Sequence, residues 1–179
     1  MKKTSKTWQR KWLAVAILLL LMSMTSIGYA QTSGLTAAEE YWLMYMREVE
    51  KLARDVYLAQ YDNWGSWVFS NISVSEQRHM NAIKNLLDRY GVTDPVGSNG
   101  EGVFSNPDIQ NLYTDLIFQA SFSLVNALEV GVLIEETDID DLNAALKSTK
   151  RRDIKKVYNN LLQASFNHLD AFNTNLARY

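Results

Sequence analysis

The sequence contains no cysteine, and it has only two histidines and two prolines among its 179 residues. Without thiols the chain can form no disulfide, no thiolate zinc site, no iron–sulfur cluster and no cysteine nucleophile. Glycine is also scarce, at eight residues, so the composition excludes a collagen-like or low-complexity protein. A metal site in this chain would therefore rest on carboxylate and imidazole ligands.

The first thirty residues lack acidic side chains and have the pattern of a secretory signal peptide. Five basic residues precede the apolar run 12–22, and Gly28 and Ala30 occupy the small-residue positions of a cleavage site. The run is too short for a membrane-spanning helix, which needs roughly 20 apolar residues. We therefore expect residues 1–30 to be removed on export. Residues 31–179 would then be a periplasmic or secreted domain without a membrane span.

Removal of this segment leaves an excess of negative charge. Residues 31–179 carry 13 basic and 20 acidic side chains, a net charge of −7. This balance argues against nucleic acid as a partner. A chain of this length is expected to form a single domain that buries about two-thirds of its unfolded surface.

Apolar residues recur with helical spacing through most of residues 31–179, and no alternating strand pattern is present. The one extended stretch rich in glycine and proline is 91–107. Four long helices with one long connection between the second and third predict an all-α, antiparallel four-helix bundle with a crossover. The predicted helices are A (35–61), B (66–90), C (108–136) and D (151–177), with a short extra helix at 138–147 before D.

Both histidines lie on the apolar faces of their helices. At about 100° per residue, His79 shares its face of helix B with Ile72 and Ile83, and His168 shares its face of helix D with Leu161. One inward-facing histidine is commonly a core residue that a carbonyl group satisfies. Two of them on different helices, with acidic residues nearby, indicate a site.

Acidic residues accompany these histidines. Glu76 precedes His79 by three positions, so both project from one face of helix B. Glu135 lies at the centre of the apolar stripe of helix C, whereas Glu129 and Glu136 point away from that stripe. A buried carboxylate needs compensation from an arginine, a shared proton or a metal ion. We favour a metal ion for Glu135.

Periodicity alone does not show which acidic residue of helix A would be the metal ligand. Its apolar arc is wide, flanking Glu50 and extending toward Glu48. Both acids are therefore candidates on the pattern alone.

The segment 50–57 has Glu, Ala at +3 and Tyr at +7, and it resembles the first metal-binding helix of rubrerythrin-like proteins. Glu76 with His79 resembles the second. Together with segments 52–57, 69–80, 134–139 and 167–172, the pattern covers nearly all of residues 31–179. It resembles a bacterial and archaeal family of the ferritin-like superfamily that is classed as a domain of unknown function. The resemblance selects Glu50 over Glu48.

This resemblance implies a di-metal centre in the bundle core. Ferritin-like sites take one Glu from each of two helices and a Glu-x-x-His pair from each of the other two. Tyr57, on the same face as Glu50, would hydrogen-bond the site, relay an electron or simply pack in the core. The implied ligands are Glu50, Glu76, His79, Glu135 and His168.

One position departs from the superfamily pattern. The residue three before His168 is Ser165, where a glutamate is expected. Two divalent ions bring four positive charges, and three glutamates return only three negative ones. The alternatives are a bridging hydroxide, participation of Glu136, or a second ion that binds weakly or not at all.

The resemblance also implies a function. The ligand types suit two iron ions, with manganese or zinc as alternatives, and such sites carry out oxygen, peroxide or ferrous-iron chemistry as oxidoreductases. With no cysteine for a rubredoxin-type centre, the electrons would come from an external donor or from the substrate. A homodimer is an expected assembly. The competing interpretation is a non-catalytic helical envelope protein, with a metal as a structural staple or with no metal.

Overall fold

Five α-helices make up most of the chain in the computed structural model, which describes residues 34–179. No strand is present in this part of the chain, so the all-helical prediction is confirmed. The predicted signal peptide, residues 1–30, lies outside the described residues. The helices are α1 (Ala37–Trp64), α2 (Trp67–Tyr90), α3 (Pro107–Ala120), α4 (Leu124–Ser148) and α5 (Arg152–Leu176).

The ends of α1 follow from local side-chain and backbone chemistry. Thr36 accepts a hydrogen bond from the backbone N–H of Glu39 at 3.2 Å, and the Glu39 carboxylate accepts one from the N–H of Thr36 at 2.8 Å. This reciprocal pair is a capping box. At the other end Gly65 adopts a left-handed conformation with φ of 65°, which residues with a Cβ rarely adopt. Gly65 thereby separates α1 from α2.

The predicted helix C and the predicted short helix at 138–147 are both wrong in their boundaries. The helical conformation is interrupted at residues 121–123. Ser123 caps α4 there by accepting a hydrogen bond from the N–H of Asn126 at 3.1 Å. From there α4 continues through Thr137, whose hydroxyl donates to the carbonyl of Leu133 at 2.8 Å. The additional helix of the fold is α3, within the connection between α2 and α4.

The helices pack in pairs around one interior. α1 packs along α2 and α4 packs along α5, while contacts of α1 with α4 and of α2 with α5 join the two pairs. α3 lies against α1 and α4. None of the five helices from residue 34 onward has the combined length and apolar character that crossing a bilayer requires.

Two apolar clusters fill the interior, and a polar layer separates them along each of the four long helices. One cluster includes Tyr57, Phe69 and Phe172, and the other includes Leu43 and Ile83. On each long helix, one or two candidate ligands lie in sequence between residues of the first cluster and residues of the second. These ligands are Glu50 on α1, Glu76 and His79 on α2, Glu135 on α4 and His168 on α5.

Candidate metal centre

The structure brings all five predicted ligands together in the polar layer. None of these residues has more than 9% of its surface exposed to solvent. They come from four different helices, so the arrangement exists only because the helices pack in this register. The exposed fractions are 1% for Glu50, 3% for Glu76, 8% for His79, 2% for Glu135 and 9% for His168.

Glu76 lies at the centre of the group. Its Oε2 atom is 2.7 Å from Nδ1 of His79, one turn along α2, and its Oε1 atom is 2.8 Å from Nδ1 of His168 on α5. The two imidazole rings lie 25° from parallel, with their centroids 5.7 Å apart. One carboxylate therefore contacts two imidazoles that belong to different helices.

The other two glutamates extend this core on opposite sides. Glu50 Oε2 lies 3.1 Å from His79 Nδ1, and Glu135 Oε2 lies 3.5 Å from His168 Nδ1. The result is two triads, Glu50–Glu76–His79 and Glu76–Glu135–His168. Within each triad, one ligand atom of every residue lies within 4.8 Å of the others. Both buried triads can hold a metal ion, and Glu76 belongs to both.

The pKa values of the two imidazoles are raised. Burial alone lowers the pKa of each, but the adjacent carboxylates outweigh it. Glu50 and Glu76 raise the pKa of His79 to about 11, and Glu135 and Glu76 raise the pKa of His168 to about 9. Without a metal ion, both histidines are therefore protonated near neutral pH. Each must lose a proton before a ring nitrogen can bind a cation.

The pKa values of the three glutamates shift in different directions. Burial raises the pKa of Glu76, but the imidazoles of His168 and His79 reverse the effect and lower it to about 2. For Glu50 and Glu135 burial prevails over the neighbouring histidines, and their pKa values rise to about 8 and about 7. The metal-free site thus stores several protons that a bound cation would displace.

Tyr57 contacts the site through Glu135. Its hydroxyl donates a hydrogen bond to Glu135 Oε1 at 2.7 Å, and burial raises the pKa of the phenol well above its ordinary value. The ring packs against Phe172, with centroids 5.1 Å apart. Phe172 fits because Gly131 has no side chain, since a Cβ there would lie 2.6 Å from the Phe172 ring. Tyr57 is therefore held in place, with its hydroxyl toward Glu135.

Asp138 is a buried acid next to this site that the sequence reasoning missed. Ser165 Oγ donates a hydrogen bond to Asp138 Oδ2 at 2.6 Å. Burial raises the pKa of Asp138 well above its ordinary value, and the negative charges of Glu50 and Glu135 raise it further. Its position three residues after Glu135 was the available signal. The predicted helix boundary at 136–138 concealed that the two acids share one helical face.

The three other acids that the sequence analysis considered lie away from the centre. Glu48 is buried, but its Oε1 accepts hydrogen bonds from the backbone N–H groups of Ser105 at 2.6 Å and Asn106 at 3.2 Å. It therefore fastens the chain at the start of α3. Glu129 and Glu136 are exposed, as expected.

The donor set fits divalent cations. In the described part of the chain, the ion-pair partners of Glu50, Glu76 and Glu135 are imidazoles, and no lysine or arginine pairs with them. The buried atoms Glu50 Oε1 and Asp138 Oδ1 have no hydrogen-bond partner. Buried polar atoms are normally satisfied, so unpartnered carboxylate oxygens beside two imidazoles favour a cation over an internal arginine pair.

Comparison with known proteins places the chain in a family. A family model described as an uncharacterized protein domain, DUF2202, matches residues 39–178. Uncharacterized protein MJ0754 of Methanocaldococcus jannaschii is 48% identical over 141 residues, which are 79% of this chain and 76% of that protein. The crystal structure of hypothetical protein MJ0754, from Methanococcus jannaschii, is similar with a TM-score of 0.80 at 44% identity, covering 88% of this chain and 87% of that one.

A more distant similarity concerns the fold alone. A crystallised DUF305 fragment from Deinococcus radiodurans matches with a TM-score of 0.59 at 15% identity, over 80% of this chain and 98% of the fragment. The family match covers most of the chain, and the archaeal relative is similar in both sequence and structure. The protein is therefore a member of the DUF2202 family.

Proposed function

We propose that this protein is an exported ferritin-like protein whose four long helices hold a dinuclear metal centre, with iron as its preferred metal. Its function would be redox chemistry of ferrous iron, dioxygen or peroxide. The observation that carries the proposal is the pair of buried triads that share Glu76. Neither triad has an arginine or lysine partner among the described residues.

The distribution of ligands over the helices supports this proposal. One glutamate comes from α1 and one from α4, α2 supplies a Glu-x-x-His pair, and α5 supplies a histidine. In ferritin-like centres two helices give one glutamate each and two give a Glu-x-x-His pair. Only the α5 glutamate is replaced here, by Ser165.

Carboxylate and imidazole ligands suit iron or manganese, and zinc competes because of its position in the affinity series. When bound, a pair of iron ions would supply electrons to dioxygen or peroxide. The residues of the protein itself contribute charge, proton release and orientation. Glu50, Glu76 and Glu135 provide negative charge, the two histidines give up protons when a cation binds, and Tyr57 orients Glu135. The apolar clusters on both sides exclude bulk water.

The source of electrons follows from the absence of cysteine. The chain cannot carry a rubredoxin-type iron centre, so electrons come from an external donor or from the substrate itself. For an exported protein this favours oxidation of Fe²⁺ or disproportionation of peroxide. Neither reaction requires an electron-transfer chain that begins with a reduced nicotinamide cofactor. A homodimer and the absence of a nucleic-acid partner are further parts of the proposal.

Rapid mixing tests the redox function. The protein is loaded anaerobically with Fe²⁺ and mixed with dioxygen or hydrogen peroxide, and ferric absorbance is followed against free iron under the same conditions. We expect oxidation by the loaded protein to exceed that of free iron, and the variant Glu76→Gln to lose the difference. Glu136→Gln is the matched control, because this exposed acid neighbours Glu135 in sequence. Equal rates for loaded protein and free iron would contradict the redox function.

Ser165 favours a second candidate function, in which the metal is only a structural staple. With a glutamate missing from the α5 pair, a single redox-silent ion such as zinc would still bridge α2 to the neighbouring helices. Elemental analysis of untagged protein distinguishes the two candidates. Bound zinc that raises the unfolding temperature and shows no redox transition would support the structural role. Bound iron or manganese would support the redox centre.

A further inference from the structure

Asp138 and Ser165 meet across the interface between α4 and α5. Asp138 lies one turn beyond Glu135 on α4, and Ser165 lies one turn before His168 on α5. Ser165 is 1% exposed, and its hydroxyl donates to Asp138 Oδ2 at 2.6 Å. Each partner is thus one turn from a candidate ligand on its own helix.

The position of Ser165 is the one at which the ferritin-like pattern has a glutamate. A glutamate there would extend from α5 toward the layer that contains Glu76. In this chain the Ser165 hydroxyl instead forms a hydrogen bond with the carboxylate of Asp138, which comes from the neighbouring helix α4. The negative charge missing from α5 is therefore available one helix away, at Asp138.

Among the described residues, the side chain of Asp138 has one hydrogen-bond partner, Ser165. It is 5% exposed, its Oδ1 atom has no hydrogen-bond partner, and no described lysine or arginine forms an ion pair with it. Its electrostatic neighbours are Glu50, Glu135 and Glu76. Burying a carboxylate among three other acids destabilises the protein unless a proton or a cation compensates the charge.

We propose that Asp138, held by Ser165, is the fourth carboxylate of the centre and replaces the glutamate that α5 lacks. This inference rests on the proposed dinuclear function. With Asp138 included, four carboxylates balance the four positive charges of two divalent ions. Neither a bridging hydroxide nor Glu136 is then needed, and Glu136 is exposed to solvent. Asp138 thus determines whether the second ion is retained.

Titration with Co²⁺ tests the role of Asp138 in holding the second ion. Co²⁺, unlike Fe²⁺, does not oxidise readily in air, and its binding can be followed by calorimetry. We expect the metal-free wild type to bind two ions per chain and Asp138→Asn to bind one. The affinity for the second ion should fall by at least about 100-fold, the upper range for substitutions that only support a ligand. Asp138→Asn keeps the size of the side chain and an oxygen that can accept from Ser165.

Asp141→Asn is the matched control. Asp141 lies a further turn along α4, and its carboxylate accepts a hydrogen bond from Tyr45 at 3.2 Å. Burial raises the pKa of Asp141 to about 6, so it is also a perturbed acid of the same helix. Because it is one turn farther from Glu135, the control should keep both ions.

A relocation variant provides the second arm. The double substitution Asp138→Ala with Ser165→Glu returns the carboxylate to α5 and should restore two ions, whereas Asp138→Ala alone should bind one. This arm decides the question even if Asp138→Asn folds poorly, which circular dichroism of the metal-free proteins reports.

The outcomes separate the two proposals. A wild type that binds no ion contradicts the proposed function. A wild type with two ions, together with an Asp138→Asn variant that also binds two at unchanged affinity, overturns the role of Asp138 and leaves the dinuclear centre standing. A wild type that binds one ion, or a relocation variant that fails to regain the second, also overturns this role.

Discussion

Two groups of buried charges include residues of α1, and they are compensated in different ways. The first is the candidate metal centre, in which the glutamates have imidazoles as their only ion-pair partners among the described residues. The second, which we name the crossover network, consists of residues of α1 and residues 94–106 of the connection that leads to α3. Its members on α1 are Arg47, Glu48, Lys51, Arg54 and Asp55. Its acids are paired with lysine, arginine or backbone N–H groups. The comparison shows how a buried acid that stabilises the fold differs from one that is available to a cation.

Lys51 and Asp55 form the centre of the crossover network. They make a buried ion pair one turn apart on α1. Lys51 Nζ also donates to the carbonyl of Gly100 at 2.7 Å, and Asp55 accepts from the N–H of Gly102 at 2.9 Å and from Arg54 Nε at 2.8 Å. Every charge here has a partner of opposite sign or a backbone dipole.

The acids among the remaining members of the network also have partners, although Arg47 Nη1 has no hydrogen-bond partner. Arg47 forms an ion pair with Asp94 at 3.0 Å, and Glu48 accepts from the backbone at the start of α3. Glu48 and Glu50 are two residues apart and are both buried, yet of the two only Glu50 has a fully buried carboxylate oxygen without a hydrogen-bond partner. Hydrogen-bond satisfaction, and not burial alone, separates the two roles.

The largest expected effect is on metal binding, for Glu76→Gln. This change leaves the shape of the side chain but removes the charge common to both triads. Affinity for both ions should fall by at least about 100-fold, while the crossover network stays intact. Calorimetric titration with Co²⁺ measures the change. Retention of both ions would show that Glu76 is not the shared ligand.

The next effect is on stability, for Lys51→Met. Removal of the ammonium group leaves Asp55 buried with only Arg54 and a backbone N–H, and the free energy of unfolding should fall by about 3 kcal/mol. Metal stoichiometry should not change. Chemical denaturation of the metal-free protein measures this effect.

Lys84→Met is the control for that substitution. Lys84 pairs with Asp88 at 2.7 Å with the same spacing, but both side chains are about half exposed, at 45% and 57%. We expect a loss of about 0.5 kcal/mol or less there. Similar losses at Lys51 and Lys84 would refute the distinction between the buried network and the surface.

The third prediction concerns pH. The raised pKa values of His79 and His168 stabilise the metal-free fold below the unfolded value of about 6.5. This stability is lost as the pH rises toward about 11 for His79 and about 9 for His168. Glu50 and Glu135 act in the same direction, because the folded protein keeps protons that the unfolded chain loses above its ordinary value of 4.5.

The unfolding temperature of the metal-free protein should therefore decrease from pH 5 to pH 9. Metal affinity should increase over the same range, because a cation displaces these protons. Thermal scans with and without Co²⁺ measure the two trends. A metal-free protein that becomes more stable toward pH 9 would contradict the protonation states assigned to the histidines.

The smallest expected effect is that of Tyr57→Phe. The change removes one hydrogen bond to Glu135 and should lower the free energy of unfolding by about 1 kcal/mol. Affinity for the ion in the triad of Glu135 should fall by up to about tenfold, with the triad of Glu50 unaffected. Competition between the two sites in a Co²⁺ titration measures this. An equal effect on both sites would mean that Tyr57 acts on the whole layer.

The sequence predicted the helices well where periodicity and caps agree, as in α1, α2 and α5. It was wrong in the region of α3 and α4, because the apolar pattern continues across residues 121–123 and only the Ser123 cap interrupts the helix. That error also hid Asp138. A periodicity argument finds acids on an apolar stripe only when the helix boundaries are correct.

Local spacing and composition determined that this chain is helical, that both histidines face inward, and that Glu76 and His79 project together, because these properties depend on the period of a single helix. Which of Glu48 and Glu50 joins the polar layer, and the contact of Ser165 with Asp138, were decided by tertiary structure. Those contacts link residues from 27 to 58 positions apart, and their geometry depends on how the helices and the crossover pack.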